Sequence, residues 1–370
     1  AAGVVVDGGS GADTFTLSGG DGPSLVVRGG DVPAHDTLVI QGGAVADDIL
    51  SLATGNDTES GTASLTLAGA AFSTDVPFEG INAITFEGVG GNNALSVIGS
   101  GAGETISLSD VVGDSGVVRV GSGPVVNYLS LGAGNVSLAG GAGSDDVAID
   151  SSPVDDAWTY TATGPDSASL TSSSSGDTVT ISLSSIESLS VDAEGEATAD
   201  TLSVSTENAE VIPGATGAGE VRPVDLLGAS LLRLTYSGFE STSVTGTTAV
   251  LPGTSVSDMV SLGADGTATV TNSLGFSNTV DVSGFSELVI NSLGGTDSIT
   301  INASANFAGG IRVVGGDSDG TGDRVVLVGR AGDDTIGVTL ASGVVTGVVG
   351  GGITLVSVEQ LEIDANGTAG

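Results

Sequence analysis

The chain of 370 residues has no cysteine, no lysine and a single histidine. Without cysteine no disulfide can staple the fold. With one histidine, His35, neither a transition-metal cage nor a Cys–His pair can be built. Aromatic residues are scarce: eight Phe, three Tyr and one Trp are too few large side chains to centre several conventional globular cores. The seven basic residues are all arginine (Arg28, Arg119, Arg222, Arg233, Arg312, Arg324 and Arg330) and stand against 45 acidic ones, for a net charge of -38. Binding phosphate backbones requires clustered Lys or Arg, so nucleic acid is excluded as a partner. Anionic membrane surfaces are excluded on the same ground. No apolar run reaches eighteen residues and no basic-apolar-small leader opens the chain. No membrane span is therefore expected, and any secretion leader is expected to have been removed. A negative surplus of this size calls for bound counter-cations or a salty medium. Both conditions fit life outside the cell.

What is abundant is glycine, 62 residues of it, together with short aliphatic and β-branched residues. Mean hydropathy of +0.34 argues against a disordered chain. Period-two alternation dominates, as in Thr14-Phe15-Thr16-Leu17, Thr37-Leu38-Val39-Ile40, Ala94-Leu95-Ser96-Val97 and Ser298-Ile299-Thr300-Ile301. These read as short strands bounded by Gly, Asn and Asp. Helical windows are broken by Gly every few residues. Two elements recur. One is a Gly-rich turn, an acid and a strand, as in Gly11-Ala12-Asp13-Thr14-Phe15, Gly143-Ser144-Asp145-Asp146-Val147, Gly295-Thr296-Asp297-Ser298-Ile299 and Gly332-Asp333-Asp334-Thr335-Ile336. The other is an apolar residue and usually Glu before a strand: Ile186-Glu187, Phe239-Glu240 and Val358-Glu359, with degenerate copies at Ile81-Asn82 and Phe285-Ser286.

Together they define a module of acidic turn, strand, variable hairpin and Glu-marked strand, repeated at about 46–99, 144–206, 257–303 and 332–370. The chain divides accordingly into 1–45, with N-terminal rungs, repeat regions 46–143, 144–256 and 257–331, and an incomplete repeat at 332–370. Narrow cores of this kind succeed when the same short strand is stacked many times. The expected fold is all-β, an elongated parallel β-helix or solenoid with hairpin insertions. The competing architecture is a string of antiparallel β-sandwiches.

Two turns match the pattern Gly-Gly-x-Gly-x-Asp-x-apolar-x in full: Gly8-Gly9-Ser10-Gly11-Ala12-Asp13-Thr14-Phe15-Thr16 and Gly140-Gly141-Ala142-Gly143-Ser144-Asp145-Asp146-Val147-Ala148. A third, 329–337, misses by one residue. In this the chain resembles the secreted haemolysin-type (RTX) repeat proteins of bacterial surfaces. The resemblance implies Ca²⁺ held between stacked turns by Gly carbonyls and Asp carboxylates. Asp13, Asp145, Asp146, Asp297, Asp333 and Asp334 are its candidate ligands. The family repeats the nonapeptide back to back, whereas the matches here are isolated, so turn-making before strands is the alternative role for these Gly and Asp residues.

Catalysis finds little footing. His35 lies beside Asp36 in a Pro33-Ala34-His35-Asp36 turn, and no Gly-x-Ser-x-Gly elbow occurs in an α/β context. Parallel β-helices do host polysaccharide-degrading enzymes, but scattered arginines and few aromatics give such chemistry little to work with. Trp158 and Tyr160, alternating with Thr, are expected to serve packing. The C-terminal Leu361-Glu362-Ile363-Asp364 stops where other modules continue, and the N-terminal segment 7–17 supplies the missing piece. The sequence therefore points to a non-enzymatic, extracellular structural protein. Its partners would be copies of itself joined head to tail, or neighbouring repeats of one chain. The stalk of a calcium-dependent adhesin is the alternative.

Overall fold

A computed structural model describes residues 4–18, 25–30, 35–43, 47–55, 59–66, 73–174, 177–193, 199–214, 217–273, 277–302, 305–318, 322–330, 335–347 and 349–364. The chain is all-β, and its described residues contain no helix. It divides into two compact units, Ala1–Asp200 and Thr201–Gly370.

In the first unit, strands fall into two ladders. One joins Val4–Asp7, Leu25–Arg28 and Ser73–Glu79 in parallel, then runs antiparallel through Gly61–Thr66 to Ile49–Thr54. It continues in parallel through Ala94–Ile98 and Asn135–Ala139 to Asp177–Ser184, then antiparallel through Ser167–Ser174 to Asp156–Gly164. The other joins Thr14–Ser18, Thr37–Gln41, Ala83–Glu87 and Val125–Leu129 in parallel. It passes antiparallel through Ser115–Val120 to Thr105–Val112, then parallel to Asp146–Ser151 and Ser188–Asp192. The chain alternates between ladders, one coil after another, except where a three-stranded meander stays in one ladder before the chain returns. This is a β-solenoid with hairpin insertions. The sandwich alternative fails because a strand's neighbour is the equivalent strand of the next coil, running in the same direction.

Coil length follows from the insertions. Equivalent corner residues lie 23 apart between Asp13 and Asp36, where no hairpin intervenes, and 46 apart between Asp36 and Asn82, where one does. The expected strand alternation is realised as buried and half-exposed positions in turn. Leu38 and Ile40, Ile84 and Phe86, Leu50 and Leu52, and Leu95 and Val97 point inward and are at most 2% exposed. Trp158 and Tyr160 join this core from the hairpin strand Asp156–Gly164.

The second unit repeats the plan. One ladder contains Asp258–Leu262, Ser298–Asn302, Arg324–Val328 and Gln360–Asp364 in parallel. In the other, Gly310–Val314 and Ile353–Val356 follow residues 287–291. Two long strands, Ser241–Pro252 and Ser277–Asn291, pair with each other along most of their length. Their crossing points are Gly246 and Phe285: a Cβ on Gly246 would lie 2.8 Å from the Phe285 ring.

Glycine opposite an aromatic recurs inside the hairpins. Gly61 faces Phe78, Gly116 faces Tyr128 and Gly219 faces Tyr236 in register, and a Cβ on each would come within 2.7 Å of the ring or its hydroxyl. The missing side chain leaves room for the ring to lie across its neighbour strand, which spreads one scarce aromatic over two core positions.

Candidate functional site: a buried ladder of carboxylates

At most long corners the chain leaves a strand at a glycine, or at a serine ahead of Asp156 and Asp297, turns, and enters the next strand just after an acidic residue or Asn. That residue is turned inward. Asp36, Asp48, Asn93, Asp145, Asp156, Asp200, Asp258, Asp297 and Asp323 are all at most 2% exposed. A buried carboxylate must be compensated by hydrogen bonds, and the neighbouring coil supplies them: the backbone N–H of each rung donates to the side chain of the next. In the first unit Asp13 donates to Asp36 Oδ1 at 2.8 Å, and Asp36 to Asn82 Oδ1 at 2.9 Å. Asp48 donates to Asn93 Oδ1 at 3.0 Å, Glu104 to Asp145 Oδ1 at 2.8 Å, Asp145 to Glu187 Oε2 at 2.6 Å and Asp156 to Asp200 Oδ1 at 2.8 Å. In the second unit the run is Asp258 to Asp297 at 2.8 Å, Asp297 to Asp323 at 2.9 Å and Asp323 to Glu359 at 2.7 Å.

Each run has a head and a tail. Except at Asp13, heads adjoin an inserted hairpin and are capped by their own turn: Gly43 N–H donates to Asp48, Ser100 N–H to Glu104 and Thr254 N–H to Asp258. Asp156 is capped by the hydroxyls of Ser151 and Ser152, and Ser151 also accepts from the Trp158 indole. The two short runs end at Asn93 and Asp200, and the other three end at the Glu-marked corners or their degenerate copy, at Asn82, Glu187 and Glu359. The residue two before each of these has positive φ, at Gly80, Ser185 and Ser357. The intervening Ile81 and Ile186 are fully buried plugs, and Val358 is half-buried. The two repeated sequence elements are thus donor and acceptor of one hydrogen-bond system.

The glycine that opens the corner is required by the acid that closes it. A Cβ on Gly140 would lie 2.2 Å from the Ser185 carbonyl and 2.6 Å from Asp145 Oδ2, and one on Gly8 would meet Asp13 Oδ2 at 2.5 Å. Gly29, Gly42, Gly99, Gly253 and Gly315 stand in the same relation to Asp36, Asp48, Glu104, Asp258 and Asp323. Stacking like charges in a shielded column has a titration cost. The Asp297 carboxyl is pushed up to about 6, chiefly by burial, with Asp323 and Asp258 adding to the shift while the Asp258 amide and Ser292 oppose it. Asp145 is raised for the same leading reason, with Glu104, Glu187 and Asp146 adding to it.

Of the six residues that the calcium resemblance singles out, Asp13, Asp145 and Asp297 are rungs of separate runs and Asp146 is exposed on the following strand. Asp333 and Asp334 lie outside the described residues. Among the described residues no three acidic or histidine side chains are grouped to hold a metal ion. In Asp36, Asp145, Asp200, Asp297 and Asp323 one carboxylate oxygen accepts an amide of the neighbouring coil, whereas Asp13 Oδ2, Asp145 Oδ2 and Asp297 Oδ2 are buried with no hydrogen-bond partner among the described residues. His35 is exposed beside the buried Asp36. Asp48, Asp156, Asp200, Asp258 and Asp323 were not singled out by the motif. The signal that finds such rungs is a Gly or Ser five residues ahead of an acid at a strand start, as in Gly99/Glu104, Gly253/Asp258 and Ser292/Asp297, lengthened at Gly42/Asp48 and Gly315/Asp323.

No protein-family model and no curated protein matches the chain. Among the described residues no helix is long and apolar enough to cross a membrane.

Proposed function

We propose that this chain is a non-enzymatic structural segment of an extracellular fibre or surface layer, with coil-on-coil cohesion as its working property. The observation that carries the proposal is the amide-to-carboxylate ladder. It places the most costly groups of the protein, buried acids, at the contacts between successive coils, so the sequence spends its polar residues on keeping coils in register. Strand edges at the ends of such a stack accept a further coil of the same design. On this reading the partner is a second copy or a neighbouring repeat of the same polypeptide. The large negative charge suits a salty external medium, and bacterial RTX-like surface proteins are the class that the Gly-rich turns resemble.

Electron microscopy of the purified chain and of native surface material tests the proposal. Filaments with a coil-spaced repeat of about 4.8 Å along their axis are the expected result. Hydrolysis or lysis of polysaccharides by the purified chain would sink it. Calcium belongs to the proposal as a ligand of turn carbonyls and of carboxylates at the Gly-rich corners, the exposed Asp146 among them. Equal melting temperatures in calcium and in EGTA would remove it.

A further inference from the structure

One face of the first unit stands apart from the acidic character of the chain. Register places Ser64, Ser51, Ser96, Ser137, Ser182, Ser169 and Thr161 directly opposite one another on seven adjacent strands. They alternate with inward residues such as Leu52, Val97, Leu138 and Ile181, so their side chains lie on the outer surface. The row on one side is Ile49, Ala94, Asn135, Thr180, Thr171 and Thr159. The row on the other includes Ala53, Ile98, Ala139 and Ser184. None of these residues is charged, the serine row being bounded by the exposed Asp75 opposite Ser64 on the next strand, and Ile49 and Ile98 are 45% and 40% exposed. The other ladder of the same unit carries Glu87, Arg119, Asp146 and Asp150 at exposed or half-exposed positions. Hydroxyl contacts on the face are local: Ser182 donates to Asn135 Oδ1 at 3.3 Å and Ser64 to Asp75 at 2.5 Å.

We propose that this uncharged hydroxyl face is a lateral contact between copies of the chain. The proposal rests on the structural reading above and adds to it sideways association. The occupant follows from charge and size. Two molecules carrying -38 each repel wherever acidic surfaces meet, and this face lets sheets approach without bringing formal charges together. Short hydroxyl and methyl side chains allow close sheet-to-sheet packing, in which hydroxyls exchange hydrogen bonds across the seam. Seven strands about 4.8 Å apart, crossed by three rows, make a patch of roughly 450 Å². A stable pair needs about 800 Å² on each partner. One contact is therefore weak, and the face works through repetition along a filament.

Sedimentation velocity across a concentration series, in low and in molar NaCl, tests the proposal with the full chain. The expected result is reversible self-association that strengthens with salt. Ser137→Asp, at the centre of the row, should weaken it at least tenfold with an unchanged far-UV spectrum. Thr161→Asp, at an exposed position on the row, serves as the second variant should the first fail to fold. A wild-type chain that stays monomeric at millimolar concentration in molar salt overturns the lateral contact, as does equal association of wild type and both variants. Either result leaves the filament reading standing, since that reading depends on stacking along the coil axis. Binding to an insoluble neutral polysaccharide that the same substitutions abolish would also overturn it, giving the face to a glycan. Unbundled single filaments by electron microscopy would count against the lateral contact alone.

Discussion

Asn93 occupies a rung where other runs carry an acid, and it shows what a rung needs. Its Oδ1 accepts the Asp48 amide at 3.0 Å and its Nδ2 donates to the Gly90 carbonyl at 3.0 Å. Only the acceptor is common to all rungs; a negative charge is not required. Asn93→Ala should destabilise the first unit by about 1–3 kcal/mol, because it strands a buried amide. Asn93→Asp should cost less, and urea denaturation monitored by circular dichroism separates the two. Asp297 sharpens the point through pH. Its carboxyl is raised to about 6, whereas an unfolded aspartate titrates near 4, so the folded protein holds that proton more tightly. The resulting stabilisation is fully present below about pH 4 and is lost as pH rises to about 6. Asp297→Asn keeps the acceptor and should flatten that slope, measured as melting temperature between pH 4 and pH 7. An unchanged slope in the variant would show that other groups govern it.

At the scale of the corner and the hairpin, close approach decides which residues are tolerated. Gly140 meets the Ser185 carbonyl of the next coil and its own acid, Asp145. Gly140→Ala must shift backbone and should cost about 1–3 kcal/mol by overpacking. Gly116→Ala should cost a similar amount for a different reason: its Cβ would lie 2.3 Å from the Tyr128 hydroxyl, in a pocket whose burial also pushes the tyrosine's pKa up. Chemical denaturation midpoints measure both, and a tyrosine fluorescence change on folding should be altered by the second substitution alone. The strands were legible from alternation, and the corners from Gly, Asp and Glu. The cross-strand pairing of glycine with an aromatic was not. Gly116 and Tyr128 are brought opposite only by a hairpin register that no local pattern states, and the same holds for Gly219 and Tyr236.

For the molecule as a whole, composition sets the electrostatics. A chain with 45 acids and seven arginines repels itself, and its few ion pairs among the described residues, such as Arg222 with Glu210 and Glu220, are partly exposed and screened. Added monovalent salt should therefore raise the melting temperature of the wild-type chain by several degrees between 10 mM and about 1 M. Differential scanning calorimetry measures this, and a melting temperature that falls with salt would contradict the account. The coil plan is present in each of the two units, so the same ladder chemistry serves both, with runs of different length.

By itself the sequence determined the all-β class, the acidic charge and the residue types at the corners, and it left a solenoid and a string of sandwiches as the two architectures between which strand pairing decided. These follow from composition and short-range periodicity, which act through the local backbone and the alternation of side chains. Tertiary structure alone decided which acid accepts which amide. Asp36 and Asn82 are 46 residues apart and Asp297 and Asp323 only 26, and the hairpin inserted between coils sets that interval. It also decided that Ser51, Ser96, Ser137 and Ser182, each unremarkable in its own strand, stand in one row. The physical reason is that parallel stacking converts equal depth in successive coils into contact, whatever length of chain separates them.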